Sequence, residues 1–119
     1  MSQYSGSASA AARLLSSAAS VNATNAVSGH VAVKGINGHN ARTSPVYLKL
    51  YDKATAPTAG DTPRATFYLP ASTSFALDFV YGIEMETGLG YRLTAGAADN
   101  DSGALASGDI LALNIHYTA

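Results

Sequence analysis

Three observations predict an all-β fold, a single antiparallel β-sandwich or jelly-roll-like barrel of seven to eight short strands carrying an extended N-terminal arm. Apolar and polar residues alternate over short runs, the signature of strands with one buried face. Turn residues punctuate those runs at regular intervals. Between them lies no helical segment of the roughly 10–15 residues that a parallel crossover needs.

The elements follow in order. Residues 1–16, MSQYSGSASAAARLLS, are mostly Ser, Ala and Gly and read as a flexible, low-complexity arm. Ala, Arg and Leu in it favour a turn or two of helix, too short to stand alone in water. Leu14 and Leu15 are its sizeable aliphatics and Arg13 its one charge, so these residues, with Tyr4, are the expected docking contacts. The domain proper is expected over residues 17–119. HVAVKGI (30–36) alternates, with Val31 and Val33 on one face and Ala32, Lys34 and Ile36 on the other, and precedes an expected turn at NGHN (37–40). VYLKLYD (46–52) is the clearest strand, with Val46, Leu48 and Leu50 on one face and Tyr47, Lys49 and Tyr51 on the other. A loop with Pro57 and Pro63 follows, then a strand at RATFYLP that Pro70 ends. STSFALDFV (72–80) alternates again, with Phe75, Leu77 and Phe79 inward and Ala76, Asp78 and Val80 outward. YGIEMETGLGYRLTA (81–95) reads as a hairpin turning at Gly88-Leu89-Gly90. After a polar loop over 96–109, ILALNIHYT (110–118) closes the domain as a central strand, with Leu111, Leu113, Ile115 and Tyr117 sharing a face.

Composition narrows the function. Of the 119 residues, 13% are charged, about half the usual share of roughly 25%, a bland surface suited to packing against other subunits. The net charge of −1 argues against nucleic acid, which asks for a clustered basic footprint. The charges are unevenly placed. Residues 1–64 hold six basic and two acidic groups, residues 65–119 one basic and six acidic, an asymmetry that suits pairing with copies of itself or a charged partner. The absence of Cys excludes disulfides and thiol chemistry. No apolar run approaches the roughly 20 residues of a membrane span, and the start lacks the basic region of a signal peptide, so a soluble, non-secreted protein is expected.

Reaction chemistry finds little support. His30, His39 and His116 have no spacing that puts two ligands on one element, so ordinary surface histidines are expected. Asp99, Asp101 and Asp109 have a cation-loop texture. The calcium pattern fails, however, with Gly103 at its fifth position and Ile110 at its twelfth, and a solvated turn is the simpler reading. Glu84 and Glu86 lie two apart on one strand face, roughly 7 Å from each other, as paired catalytic carboxylates are and as solvent-facing acids also are. No G-x-S-x-G elbow or phosphate loop is present. The expectation is a non-enzyme with no cofactor and no metal. Seven Tyr and no Trp are the remaining signal. The face of Tyr47, Lys49 and Tyr51 suits a protein contact or sugar stacking, or equally a pair of half-buried tyrosines under a loop.

YLKLYDKATAPTAGDTP (47–63), STSFALDF, the Gly88 to Leu93 hairpin and TAGAADNDSGALASGD (94–109) resemble a family of small virion proteins of tailed bacteriophages. The resemblance covers roughly residues 28–119 and leaves out the arm. It implies a compact β-fold building block of the virion. The expected role is a capsid decoration, or cement, protein stabilising contacts between major capsid subunits. Its arm would lie on a neighbour, and a trimer or higher homo-oligomer would suit a symmetric shell. A head- or tail-associated module binding host glycans, or a neck or tail component, is the alternative. Neither reading involves nucleic acid or membrane.

Overall fold

The computed structural model describes residues 9–119. These form eight strands in two four-stranded antiparallel sheets packed face to face as a β-sandwich, with no helix among the described residues. The strands are β1 (Ser9–Ser16), β2 (Thr24–Ser28), β3 (Val31–Asn40), β4 (Val46–Asp52), β5 (Ala65–Leu69), β6 (Thr73–Met85), β7 (Gly88–Thr94) and β8 (Ile110–Thr118). The first sheet runs β1-β8-β3-β6 and the second β2-β7-β4-β5.

Most inward faces are those that alternation predicts. The β3 ladder, however, slips between Val33 and Gly35, which brings Ile36 into the core beside Val31 and Val33. Leu77 of β6 is exposed rather than inward. Val31, Val33 and Ile36 of β3 meet Val46, Leu48 and Leu50 of β4 and Leu89, Tyr91 and Leu93 of β7 in one buried core. The polar loop 96–109 contributes Leu105 to the same core. Strand β8 is interior, flanked by β1 and β3, as its apolar run predicts.

Four further local expectations are corrected. First, residues 9–16 are neither helical nor a separate arm. They pair with β8 from Ser9 opposite Thr118 to Ser16 opposite Leu111, and Ala12 and Leu14 pack on the core. Helix propensity is a weak preference, and the open edge of β8 supplies a ladder of backbone partners that a lone helical turn lacks. The next residue, Ser17, is buried, and its hydroxyl accepts the Ile110 N–H at 3.0 Å. Second, NGHN makes no turn. Strand β3 runs through it because Gly38 faces Phe75 of β6. A Cβ there would lie 2.8 Å from the Phe75 ring, so this glycine serves close packing.

Third, there is no hairpin at Gly88–Gly90. Strands β6 and β7 belong to different sheets, and the chain crosses between them at Glu86–Thr87. The Asp52 carboxylate fixes this crossing by accepting the N–H groups of Glu86 (3.0 Å), Thr87 (2.7 Å) and Gly88 (3.3 Å). Burial raises the Asp52 pKa, but these backbone donors outweigh it and hold the group below the ordinary carboxylate range. Fourth, the alternation of β8 slips by one residue. Ala112 takes φ of 50°, a bulge conformation, so that Ile110 turns into the core and Leu111 to the outside.

Candidate functional site

Strand β4 alternates as predicted, yet its outer face is not a surface. Tyr47 is half-buried, Tyr51 is buried, and Lys49 has no exposed area at all. Lys49 stands opposite Arg92 of β7, which is 1% exposed. The loop after β7 covers both cations. Lys49 Nζ donates to the Ala98 carbonyl, and Arg92 donates to the Asp101 carbonyl at 2.7 Å and to the Tyr51 hydroxyl at 3.2 Å. The Asp101 carboxylate in turn accepts the N–H groups of Gly96 and Gly103, each at 2.9 Å. These backbone bonds, Gly103 first, and the nearby Lys49 and Arg92 charges hold the Asp101 pKa low. Burial and the Arg92 charge push the Lys49 ammonium pKa down, against the pull of Asp101 and Asp99. Lys49 and Tyr51 therefore lock a loop onto the sheet and are not contacts for an outside partner.

Four of the six exposed large apolar residues among the described residues lie on the edge strands β5 and β6, the other two, Leu15 and Leu111, on β1 and β8. Phe67 and Phe79 bridge β5 and β6 inside, with ring centroids 5.3 Å apart. Outside, Tyr68 stands opposite Tyr47 as an edge-to-face pair with centroids 5.6 Å apart, and Tyr68 is 57% exposed. On β6 the ladder with β3 is interrupted. Asp78 pairs with Gly35 and Ile83 with Val33, so residues 79–82 oppose Lys34 alone. Gly82 takes φ of 78°, a conformation L residues rarely adopt, and the chain bows outward. This bulge turns Phe79 to the core and leaves Val80 85% and Tyr81 94% exposed. Leu77 beside it is also exposed.

Of the expected arm contacts, Leu14 faces the core, Leu15 is exposed, and Arg13 lies on β1 opposite Asn114. Tyr4 lies outside the described residues. Arg13 also lines, with Ala12, Thr24, Asn25, Ala26 and Tyr91, a shallow cleft of about 240 Å³ where β1 and β2 edge the opposite side.

The titratable candidates divide. Asp101 is committed to its loop. Asp109 accepts the Ala106 N–H and sits 3.7 Å from Arg42 Nε, and Asp99, Asp101 and Asp109 do not converge on a common point. His39 bonds Ser74 and His116 bonds Asn37. His30, just ahead of β3, meets Glu84 of β6 in an ion pair, and that hydrogen bond holds the His30 pKa above its ordinary value. The donor atoms of His30, Glu84 and Glu86 all lie within 4.8 Å of one another, the one such convergence of three ligating groups among the described residues.

No protein-family model, curated protein or solved structure matches the chain. Alternation already turns Val80 outward, whereas Tyr68 and Tyr81 escape sequence reasoning because each sits in an ordinary strand pattern. The one available signal is Val80-Tyr81-Gly82, two large apolar residues running into a glycine, which marks a bulge as readily as a strand end. Among the described residues no helix is long and apolar enough to cross a membrane.

Proposed function

We propose that this chain is a non-enzymatic structural protein of a tailed-bacteriophage virion, a capsid decoration or cement protein that binds major capsid subunits through the β5/β6 side of its sandwich. The observation that carries the reading is the β6 bulge, which holds Val80 and Tyr81 out in solvent. Val80 and Tyr81, with Leu77 on the same strand and Tyr68 on the edge strand β5, expose four large apolar side chains on two edge strands, which suits a contact surface. Tyrosine is enriched at interface centres because it joins a large apolar body to a polar tip. The low charge of the chain and its resemblance to small virion proteins support the same reading. In it, the protein adds interface area between shell subunits and performs no chemistry.

The test is a Val80→Ser, Tyr81→Ser double variant in a co-sedimentation assay with undecorated capsids. Both side chains touch solvent, so the variant is expected to unfold at the same temperature as the parent. Its binding is expected to weaken at least about tenfold, the loss typical of interface anchors. Unchanged binding would remove the bulge from the interface. The alternative, a glycan-binding module of the head or tail, draws on the exposed Tyr68 ring over Tyr47. Glycan-array binding abolished by Tyr68→Ala would favour it.

A further inference from the structure

We propose that His30, Glu84 and Glu86 form a binding site for a divalent transition-metal ion of the Zn²⁺ type at the end of the sandwich where the chain crosses between sheets.

The three groups come from two places in the chain. His30 sits in the short link between β2 and β3, and Glu84 and Glu86 lie at the end of β6 and just beyond it. Their register is built in. Glu84 pairs with Ala32 and Met85 with Val31, which brings the residue before Val31 alongside Glu86. Glu86 is then held by its own backbone, because its N–H is bound to the Asp52 carboxylate. Asp52 spends its oxygens on three backbone donors and so acts as a positioning group for the crossing. The Glu84 carbonyl is fixed from the other side by Arg64 Nε at 3.1 Å.

The donor set is chemically selective. An imidazole nitrogen with two carboxylates is the mixed N/O set that binds Zn²⁺ with a fourth position left open. Tetrahedral ligands at the usual bond lengths lie about 3.3 Å from one another. The three donor atoms already lie within 4.8 Å, on exposed side chains free to rotate inward. Mg²⁺ fits less well, since it dehydrates reluctantly and prefers oxygen ligands. Charge favours occupancy too. Two carboxylates beside a neutral imidazole carry −2, which one divalent ion cancels and one proton on His30 does not. The metal and that proton compete for the same imidazole nitrogen.

The experiment is calorimetric titration of the full chain with Zn²⁺ at pH 7.5, with Mg²⁺ in parallel. The expected result is one Zn²⁺ per chain with little or no Mg²⁺ binding. Affinity should fall by about 10–100-fold or more in His30→Ala and in Glu86→Gln, since even the groups behind a metal ligand are worth that much. His39→Ala, His116→Ala should bind as the parent does. All these side chains except His39 and His116 are exposed, and the melting temperature without metal checks that each variant is folded. No Zn²⁺ uptake by the parent, or full affinity in either His30→Ala or Glu86→Gln, would overturn the assignment. The site stands or falls independently of the capsid reading.

Discussion

A chain that begins at Ser17 is expected to melt about 8–16 °C below one that begins at Ser9. The difference is β1, which closes the open edge of β8 along most of its length and lays Ala12 and Leu14 on the core. Losing a partly buried leucine, the neighbouring alanine and an edge ladder costs about 2–4 kcal/mol after the chain entropy regained is set against it. For a domain of this size, each kcal/mol is worth about 4 °C. The shortened chain also exposes the apolar strand β8 as an unprotected edge, so it should aggregate more readily. Equal melting temperatures for the two chains would mean that β1 is a bystander. The comparison bears on function as well. Binding lost on removal of residues 9–16 reports a damaged sheet, whereas binding lost on removal of residues 1–8 reports a docking contact.

Asp101→Ala is expected to destabilise the protein by about 1–2 kcal/mol at pH 7, the lower part of the range for donors that lose their acceptor, because the donors here are only half-buried. The substitution orphans the Gly96 and Gly103 N–H groups and loosens the loop whose carbonyls receive Lys49 and Arg92. Both cations are buried on the sheet face, and the Asp101 charge is among the few that offset theirs. The pH dependence has a definite sign. The folded protein holds Asp101 below the ordinary aspartate value of 3.8, so its stabilising effect is complete above that value and fades as pH falls through the lower folded pKa. Denaturant unfolding of parent and variant should therefore differ by a constant amount from pH 7 to about pH 5. The gap should narrow below about pH 4, as the parent carboxylate becomes protonated. A gap that persists unchanged to pH 2 would show that its charge plays no part.

Much of this architecture can be read from alternation alone. Val46-Leu48-Leu50 fixes the inner face of β4, and Pro70 ends β5 where expected. The errors come where tertiary context overrides a local rule. Ser-Ala-rich β1 carries no strand signal, and it is a strand because β8 offers it an edge. Gly38 looks like a turn residue until Phe75 is placed against it. The crossing at Glu86–Thr87 depends on a carboxylate 34 residues earlier in the chain, beyond any local window.

The site was harder to foresee for the same reason. Lys49 and Tyr51 have the alternation of surface residues, and only the fold of a distant loop buries them. Conversely, alternation turns Val80 outward, but the exposure of Tyr81 beside it depends on the four-against-one register slip on β6. Tyr47 keeps its place next to the exposed surface, with Tyr68 rather than Tyr51 as its neighbour. Glu84 and Glu86 were visible as a pair of carboxylates. Their meeting with His30, more than fifty positions away, required the β3–β6 register.

The most direct test of the assembly reading is quantitative mass spectrometry of purified phage particles carrying this chain, scaled to the major capsid protein. A shell decoration is expected in hundreds of copies per particle, in a fixed ratio to the capsid subunit. A handful of copies would place the chain at the neck or tail instead, and its absence from purified particles would contradict the account.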